Sequence, residues 1–415
     1  MELKDAKNIA AEVAKRLETE TVMTGFAAGR VMAETIRADR DMPEKPISRW
    51  DGFAFKSSDC EHAGTQNPVI LPIVSEEITA GKTAQKAQSR TCARIMTGGI
   101  LPEAMDTVIA FEKARLCPRG LVFTEPLRAG AGVTQPGSKI PRNTLLLGKG
   151  DVLTPGRIGL AAAQGRQQVC VVRRPRVAIL ATGDELKGSG AGEPGSSIFS
   201  QNSCLLAALV RASGAEPVEM GVAPDDPEVI CSRLKNARAD LVITTGGMGK
   251  GSKDFTGEVW KRLGLKVIFD RLNIGPGKGS GLATGNGSIY LGLPGNPGAV
   301  RIIYEEIGAV LVQSFLGLHS EPDFSFEAIT AGSMQKTEGY YRALDGALKI
   351  REGLCTFIPR NCPEAGQKDM GSFFTSRSAY ALLAPGNSRV AEGQKVLVKI
   401  PDLSLESRAM LRCSD

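Results

Sequence analysis

Histidine is nearly missing from this chain: His62 and His319 are the only two among 415 residues. So small a supply removes most Ser-His-Asp and histidine–zinc chemistry, because those sites need imidazole as base or ligand. Nine cysteines occur, at irregular positions (60, 92, 117, 170, 204, 231, 355, 362 and 413) and with no C-x-x-C. That spacing excludes a disulfide frame or a thiolate zinc site and fits buried thiols in a reducing compartment. A long Lys/Arg block is also lacking. The 51 basic and 45 acidic residues leave a net charge of +6, and aromatics make up only 5%. Nucleic acid is therefore not an expected partner, since it calls for a basic patch interleaved with aromatics; a weak bias toward small anions remains. The most apolar late segment, 302–318, is interrupted by Glu305 and Glu306 and is too short to span a bilayer. Met1-Glu2-Leu3-Lys4-Asp5 contains no apolar signal core, so a soluble cytoplasmic protein without membrane contact is expected. Catalysis must then rest on carboxylates, lysines, hydroxyls, backbone amides or a hard metal ion.

The chain is too long for one core, and its pattern changes character along its length. Residues 1–40 read as helical, with Ile9, Val13 and Leu17 at a spacing of four. Residues 43–133 hold short β-type runs (69–74, 107–111) between Gly, Pro and charged turns, and predict a small β-rich domain. Residues 134–172 carry a helical patch at 158–164 and are grouped with 1–42 as a helical, elongated domain. From 173 to 320 strands and helices alternate over short links, which predicts a doubly wound, mostly parallel sheet. Residues 321–415 return to β runs and predict a separate barrel-like C-terminal domain. The fold class is therefore α/β plus β, in several domains.

Three glycine-rich turns follow strand-like runs in the alternating segment: 181–186 (ATGDEL), 244–254 (TTGGMGKGSKD) and 293–298 (LPGNPG). Turns at the carboxyl ends of parallel strands are where open α/β sheets bind ligands. Asp184 and Glu185 suit Mg²⁺ binding or base chemistry, although acidic residues in turns are commonplace. Gly246 and Gly247 allow close approach of backbone N–H groups to a phosphate or planar ring, and Lys250 and Lys253 add charge. The stretch matches neither a P-loop nor a G-x-G-x-x-G. Asp254 is suited to capping the following helix while lining the pocket, and either Asp225 or Asp226 can cap the helix that begins at Pro227. Arg271 and the 276–279 turn (PGKG) follow a further strand and face the same end. Spacing alone assigns nothing to 50–53 (WDGF) or 96–99 (MTGG), and an Asp-Gly between aromatics predicts a hairpin turn.

Taken together and in order, these motifs resemble the molybdopterin molybdenumtransferases, the family of MoeA and the gephyrin E domain. The chain reads as a divergent member. The segment 48–54 (SRWDGFA) is similar to the family's S-A-M-D-G-Y-A, and 94–98 (RIMTG) with 102–108 to its R-I-M-T-G-A…P-E-G-A-D-T-V. The motifs 182–186, 240–247, 276–278 and 293–297 match as well. The resemblance implies a four-domain homodimer whose doubly wound domain binds the pterin and faces the small β domain of the partner subunit. It implies molybdate and molybdopterin-adenylate as substrates, Mg²⁺ as cofactor, release of AMP, and onward transfer to molybdoenzymes or cofactor chaperones. Carried over by position, the catalytic residues are Asp51, Thr97, Glu185, Asp225 and Asp254, with Glu185, Asp225 and Asp254 holding metal. Substrate contacts fall to Gly183, Asp184, Gly246, Gly247, Lys250, Arg271, Lys278, Pro294, Gly295, Asn296 and Ser372.

Departures from the pattern cluster at the anion site. Gly249 stands where the family has serine, Gly275 where a lysine precedes P-G-K-P, and Gly279 where a proline follows. Arg49 and Trp50 replace small and thioether side chains beside Asp51. The alternatives are a non-catalytic molybdopterin carrier and a transferase that handles tungstate.

Overall fold

The computed structural model describes residues 1–80, 88, 90–187, 198–247, 256–318, 325–351, 353–360, 378–386, 388–400, 403–405 and 407. Lys250, Asp254 and Ser372, and with them Gly249, lie outside the described residues. The chain divides into two compact units: unit 1 holds 1–34, 149–158 and 167–415, and unit 2 holds 35–148 and 159–166.

Alternation of β-branched runs with amphipathic segments builds the centre of unit 1. Strand β1 (Arg176–Thr182) leads through helix α1 (Gln201–Ala212) to β2 (Glu216–Ala223). Helix α2 (Pro227–Lys235) then leads to β3 (Leu241–Thr245), and α3 (Thr256–Arg262) to β4 (Lys266–Phe269). Strands β5 (Gly281–Gly285) and β6 (Ser288–Leu293) complete a six-stranded sheet of order β2-β1-β3-β6-β5-β4. The first four of these are parallel neighbours, while β5 runs antiparallel to both β6 and β4. The sheet is mostly parallel, with its antiparallel part at this edge. Gly281–Gly285 (GLATG) carries two glycines and no strongly apolar run, so β5 is invisible to periodicity and forms because β6 supplies a full partner.

Side chains alternate across a strand, so each strand feeds both faces of this sheet. Val177, Ile179, Leu241, Ile243 and Leu291 share one core with Leu206 and Val210 of α1 and with the long last helix. Ala178, Leu180 and Val242 share the other with Ile230, Leu234, Val259 and Trp260 of α2 and α3. Each such aliphatic side chain contributes roughly 1.5–3 kcal/mol on burial. The last helix runs as Pro297–Ile303, a π-helical stretch Tyr304–Gly308, and Ala309–Phe315. This is the apolar segment noted above, and it is a core helix. Its Glu306, 0% exposed, receives Lys7 Nζ at 2.8 Å, Lys399 Nζ at 2.6 Å and the Tyr380 hydroxyl at 2.6 Å. Two cations and a hydroxyl satisfy a carboxylate that would otherwise be very costly to bury.

The helical reading of residues 1–40 holds only for Leu3–Val13. Ala14 turns extended, the Leu17 N–H bonds the Phe315 carbonyl at 2.8 Å, and Thr19–Met23 pairs antiparallel with Gln168–Val172. Tertiary pairing of two β-branched segments overrides the apparent helical spacing. In the C-terminal part, strands Ser325–Thr330, Tyr341–Arg351, Leu354–Pro359, Ser378–Leu383 and Lys395–Lys399 form a small closed barrel. It closes because Tyr341–Arg351 pairs with both Leu354–Pro359 and Ser378–Leu383. Phe357, Ala379, Ala381 and Val398 fill its core.

Unit 2 is built mostly from strands. Gly52–Phe55, buried at every position, lies between Cys92–Ile95 and Thr107–Ala110, with Ile73–Ile78 beyond, while Val69–Leu71, Gly120–Phe123 and Arg115–Cys117 form a second sheet. Phe55 and Phe123 meet at 4.6 Å between ring centroids, and Phe53 and Phe111 meet edge-to-face at 5.1 Å. The hairpin turn expected at Asp51-Gly52 does not form. Gly52 opens a central strand, and a β-carbon there would lie 1.9 Å from the Ile109 carbonyl oxygen. Glycine serves close strand approach here, not turning.

Candidate functional site at the carboxyl end of the parallel sheet

Strand order reverses at β1, whose neighbours β2 and β3 continue to opposite sides, and such a point leaves a crevice beyond the strand ends. The turns after β1, β2, β3 and β6 all reach that end. The Gly183 N–H bonds the Ala223 carbonyl at 3.2 Å, and the Gly246 N–H bonds the Leu293 carbonyl at 3.0 Å. The Thr182 hydroxyl donates to the Thr245 carbonyl at 3.2 Å. Gly246 has φ +100, and a β-carbon there would meet the Thr182 carbonyl oxygen at 2.4 Å, so only glycine fits.

Acidic side chains gather in two of these turns. Asp184 and Glu185 are exposed after β1, and Asp225 is partly exposed after β2. The Asp225 N–H donates to Asp184 Oδ1 at 3.0 Å. Asp226 is the residue that caps α2, accepting from Glu228 N–H at 2.8 Å and Val229 N–H at 3.4 Å, which leaves the Asp225 carboxylate out of the capping role. Among the described residues no group of three acidic, histidine or cysteine side chains is assembled for a metal. The donors present are nonetheless carboxylate oxygens only, which suits a hard cation such as Mg²⁺ that keeps several waters.

Asn296 caps the last helix, accepting the Ala299 N–H at 3.2 Å, and Pro294 and Gly295 precede it. The Gly295 carbonyl receives Asn202 Nδ2 at 2.8 Å, and Asn202, 8% exposed, keeps its Oδ1 buried without a partner. Sequence reasoning passed over Asn202, since an asparagine in a first helical turn usually reads as a cap. Under the turn after β3, the Thr244 hydroxyl and Trp260 Nε1 are also buried without partners. They border a water-sized cavity of about 10 Å³ with Thr182 and Gly247. Arg271 and Lys278 follow β4, whose direction matches β6, so topology brings them to the same end. Both are exposed, and Lys278 Nζ lies 5.6 Å from the centroid of the Tyr340 ring.

Asp51 and Thr97 belong to unit 2 and form a pair of their own. Asp51 Oδ1 accepts the Thr97 N–H at 2.7 Å and the Thr97 hydroxyl at 2.8 Å. These two donors, the backbone N–H first, hold the carboxyl below its ordinary pKa and keep it ionised at neutral pH. Both residues are exposed. The structure thus places Asp184, Glu185 and Asp225 together at one strand end, and Asp51 with Thr97 in a second cluster.

Comparison with known proteins bears on the family and the fold. The family model of the MoeA N-terminal region (domain I and II) matches residues 1–165, and that of a probable molybdopterin binding domain matches 178–313. A molybdopterin molybdenumtransferase of Nostoc sp. is 30% identical over 400 residues, covering 94% of this chain and 91% of the relative. That of Bacillus subtilis is 30% identical over 395 residues, covering 92% and 90%. The crystal structure of the molybdopterin biosynthesis moea protein from Pyrococcus horikosii superposes with a TM-score of 0.82 at 25% identity, covering 96% of this chain and 98% of that one. With both regions matched and relatives aligned over nearly its whole length, the chain belongs to the molybdopterin molybdenumtransferase family.

Proposed function

We propose that this protein inserts molybdenum into adenylylated molybdopterin with release of AMP. The observation that carries the reading is the convergence, where strand order reverses, of the Gly246–Gly247 turn with the turns that bear Asp184, Glu185 and Asp225. Backbone N–H groups of these turns other than those of Gly183 and Gly246, which the Ala223 and Leu293 carbonyls already take, would hold the phosphates, and Lys278 and Arg271 would add positive charge to the same end. Glu185 and Asp225, with Asp254, would hold Mg²⁺, which neutralises phosphate charge when bound. In the hydrolytic half of the reaction, one P–O bond of the phosphoanhydride breaks and one to water forms. AMP leaves with the bridging oxygen, and a carboxylate takes the proton of the water. Asp51, kept ionised by Thr97, is assigned to the same reaction on the strength of its geometry and its family motif.

The four-domain division (1–42 with 134–172, 43–133, 173–320 and 321–415), the homodimer, a cytoplasmic setting and delivery to molybdoenzymes belong to this same reading. The test is AMP release from adenylylated molybdopterin, measured with molybdate, with tungstate and with neither. Release that depends on molybdate supports the reading, and dependence on tungstate alone reassigns the oxyanion. No AMP under any condition overturns it. A carrier that binds the pterin without turnover is the second reading. It is favoured by one feature: the Tyr340 ring fills the space beside Gly275, where the family's lysine would stand.

A further inference from the structure

Trp50 is a large exposed side chain that the proposed reaction leaves unused. The chain has two tryptophans; Trp260 is 1% exposed and Trp50 is 42% exposed. A lone surface ring is ordinary. Three observations set this one apart.

Its backbone is locked: the Ser48 hydroxyl donates to the Trp50 carbonyl at 2.5 Å and accepts the Trp50 N–H at 3.2 Å, while the Arg49 N–H bonds the Gly132 carbonyl at 2.9 Å. Ile47–Ser48 also pairs with Val133–Thr134. The six-membered ring of the indole is backed by main chain. Gly132 has φ +69, and a β-carbon on it would come within 2.8 and 2.9 Å of Trp50 Cζ3 and Cε3. The Cζ3–Cε3 edge of the ring therefore lies close against the Gly132 backbone. Finally, the next residue is Asp51, whose carboxylate the Thr97 N–H and hydroxyl hold in place.

We infer that the Trp50 indole is a stacking platform for the planar nitrogen heterocycle of the substrate, set beside the Asp51–Thr97 pair. The inference rests on the pterin-adenylate reading above. A flat π-face accepts any flat heterocycle, and stacking of a base on an aromatic side chain is worth about 1–3 kcal/mol by alanine substitution, roughly 5- to 150-fold in affinity. A preorganised ring loses little freedom on binding, which is the advantage of a backbone-supported indole over a flexible side chain. The substrate offers two such rings, pterin and adenine, and the chemistry of the platform is common to both.

The experiment uses the full chain. Adenylylated molybdopterin is titrated against wild type, Trp50→Ala and Trp50→Phe by calorimetry, and acrylamide quenching follows the fluorescence of the exposed Trp50. Trp260, being buried, contributes little to the quenchable fraction. The expected result is about tenfold weaker binding for Trp50→Ala, near-wild-type binding for Trp50→Phe, and protection of Trp50 from acrylamide by substrate. AMP and 6-hydroxymethylpterin as separate probes assign the ring: the one that protects Trp50 is the one that stacks. Equal affinity in all three proteins, or no protection in the wild type, overturns the platform and leaves the functional reading standing. An altered sedimentation coefficient for Trp50→Ala with unchanged affinity makes the ring a contact between copies and likewise overturns it. A wild type that binds no adenylylated molybdopterin overturns the functional reading, and the platform falls with it. Should Trp50→Ala fail to fold, Trp50→Phe and the quenching measurement decide.

Discussion

The ring of Tyr340 occupies the space that a side chain at Gly275 would need: a β-carbon there would lie 2.7 Å from Tyr340 Cε2 and 3.3 Å from Cδ2. Lys278 Nζ sits 5.6 Å from the centroid of the same ring, a cation–π distance. The ring that fills the space beside Gly275 thus also lies against Lys278, the lysine of the turn. Gly275→Lys alone should lower the melting temperature and give no gain in AMP release, because the ring must be displaced. Gly275→Lys with Tyr340→Ala should accommodate the new ammonium and raise the rate by about tenfold or more. Single-turnover AMP release and thermal melts of both variants check this.

Asp51→Asn should reduce AMP release by about 10²-fold or more while the melting temperature moves by about 2 °C at most. Both partners of the Asp51–Thr97 pair are exposed, so the pair contributes little to the fold. Because the carboxyl titrates below its ordinary value, it stays ionised as pH falls from 7 toward 5, and activity should not drop on its account in that range. Its contribution to stability is present above the unfolded pKa and is lost only as pH falls through the lower folded value. Thr97→Val removes the hydroxyl donor but keeps the backbone N–H, the larger cause, and should give a milder loss. Activity–pH profiles of the three proteins separate these outcomes.

Two glycines of the crevice should behave in opposite ways. Gly246→Ala drives a β-carbon to 2.4 Å from a main-chain oxygen at φ +100 and should cost about 2 kcal/mol or more in urea unfolding. Gly295 has open space around it, so Gly295→Ala should change stability by no more than about 0.5 kcal/mol. If the backbone at 295 lies against substrate, Gly295→Ala should still weaken binding of adenylylated molybdopterin in calorimetry.

Asp345 supplies a pH signature of the barrel. Burial pushes its carboxyl up to about 6 from an ordinary value of 3.8, and Arg360 and Arg301 only partly oppose this. The folded state therefore keeps a proton that the unfolded chain releases. Stability from this group is fully present below pH 3.8 and is lost as pH rises through about 6, a change on the order of 3 kcal/mol. Unfolding midpoints between pH 4 and 7 should decline in the wild type relative to Asp345→Asn and run parallel above that window.

Much of this protein is legible in the order of its residues. The glycine turns after β1, β3 and β6, the Asn296 cap and the Pro227 helix start follow from local chemistry, because φ preferences and orphan N–H groups act within a few residues. The depletion of histidine already directed the chemistry to carboxylates, lysines, hydroxyls, backbone amides or a hard metal ion. What required tertiary structure was whatever depends on a distant partner. The strand Gly281–Gly285 exists because β6 pairs with it, and the helix stops at Val13 because Thr19–Met23 finds Gln168–Val172. Gly52 is a close-approach glycine only because Ile109 lies across from it, and Trp50 is a supported ring only because Gly132 lies beneath. Local sequence determines conformation over a turn or two; contacts across tens of residues decide which strand, which face and which neighbour each residue receives.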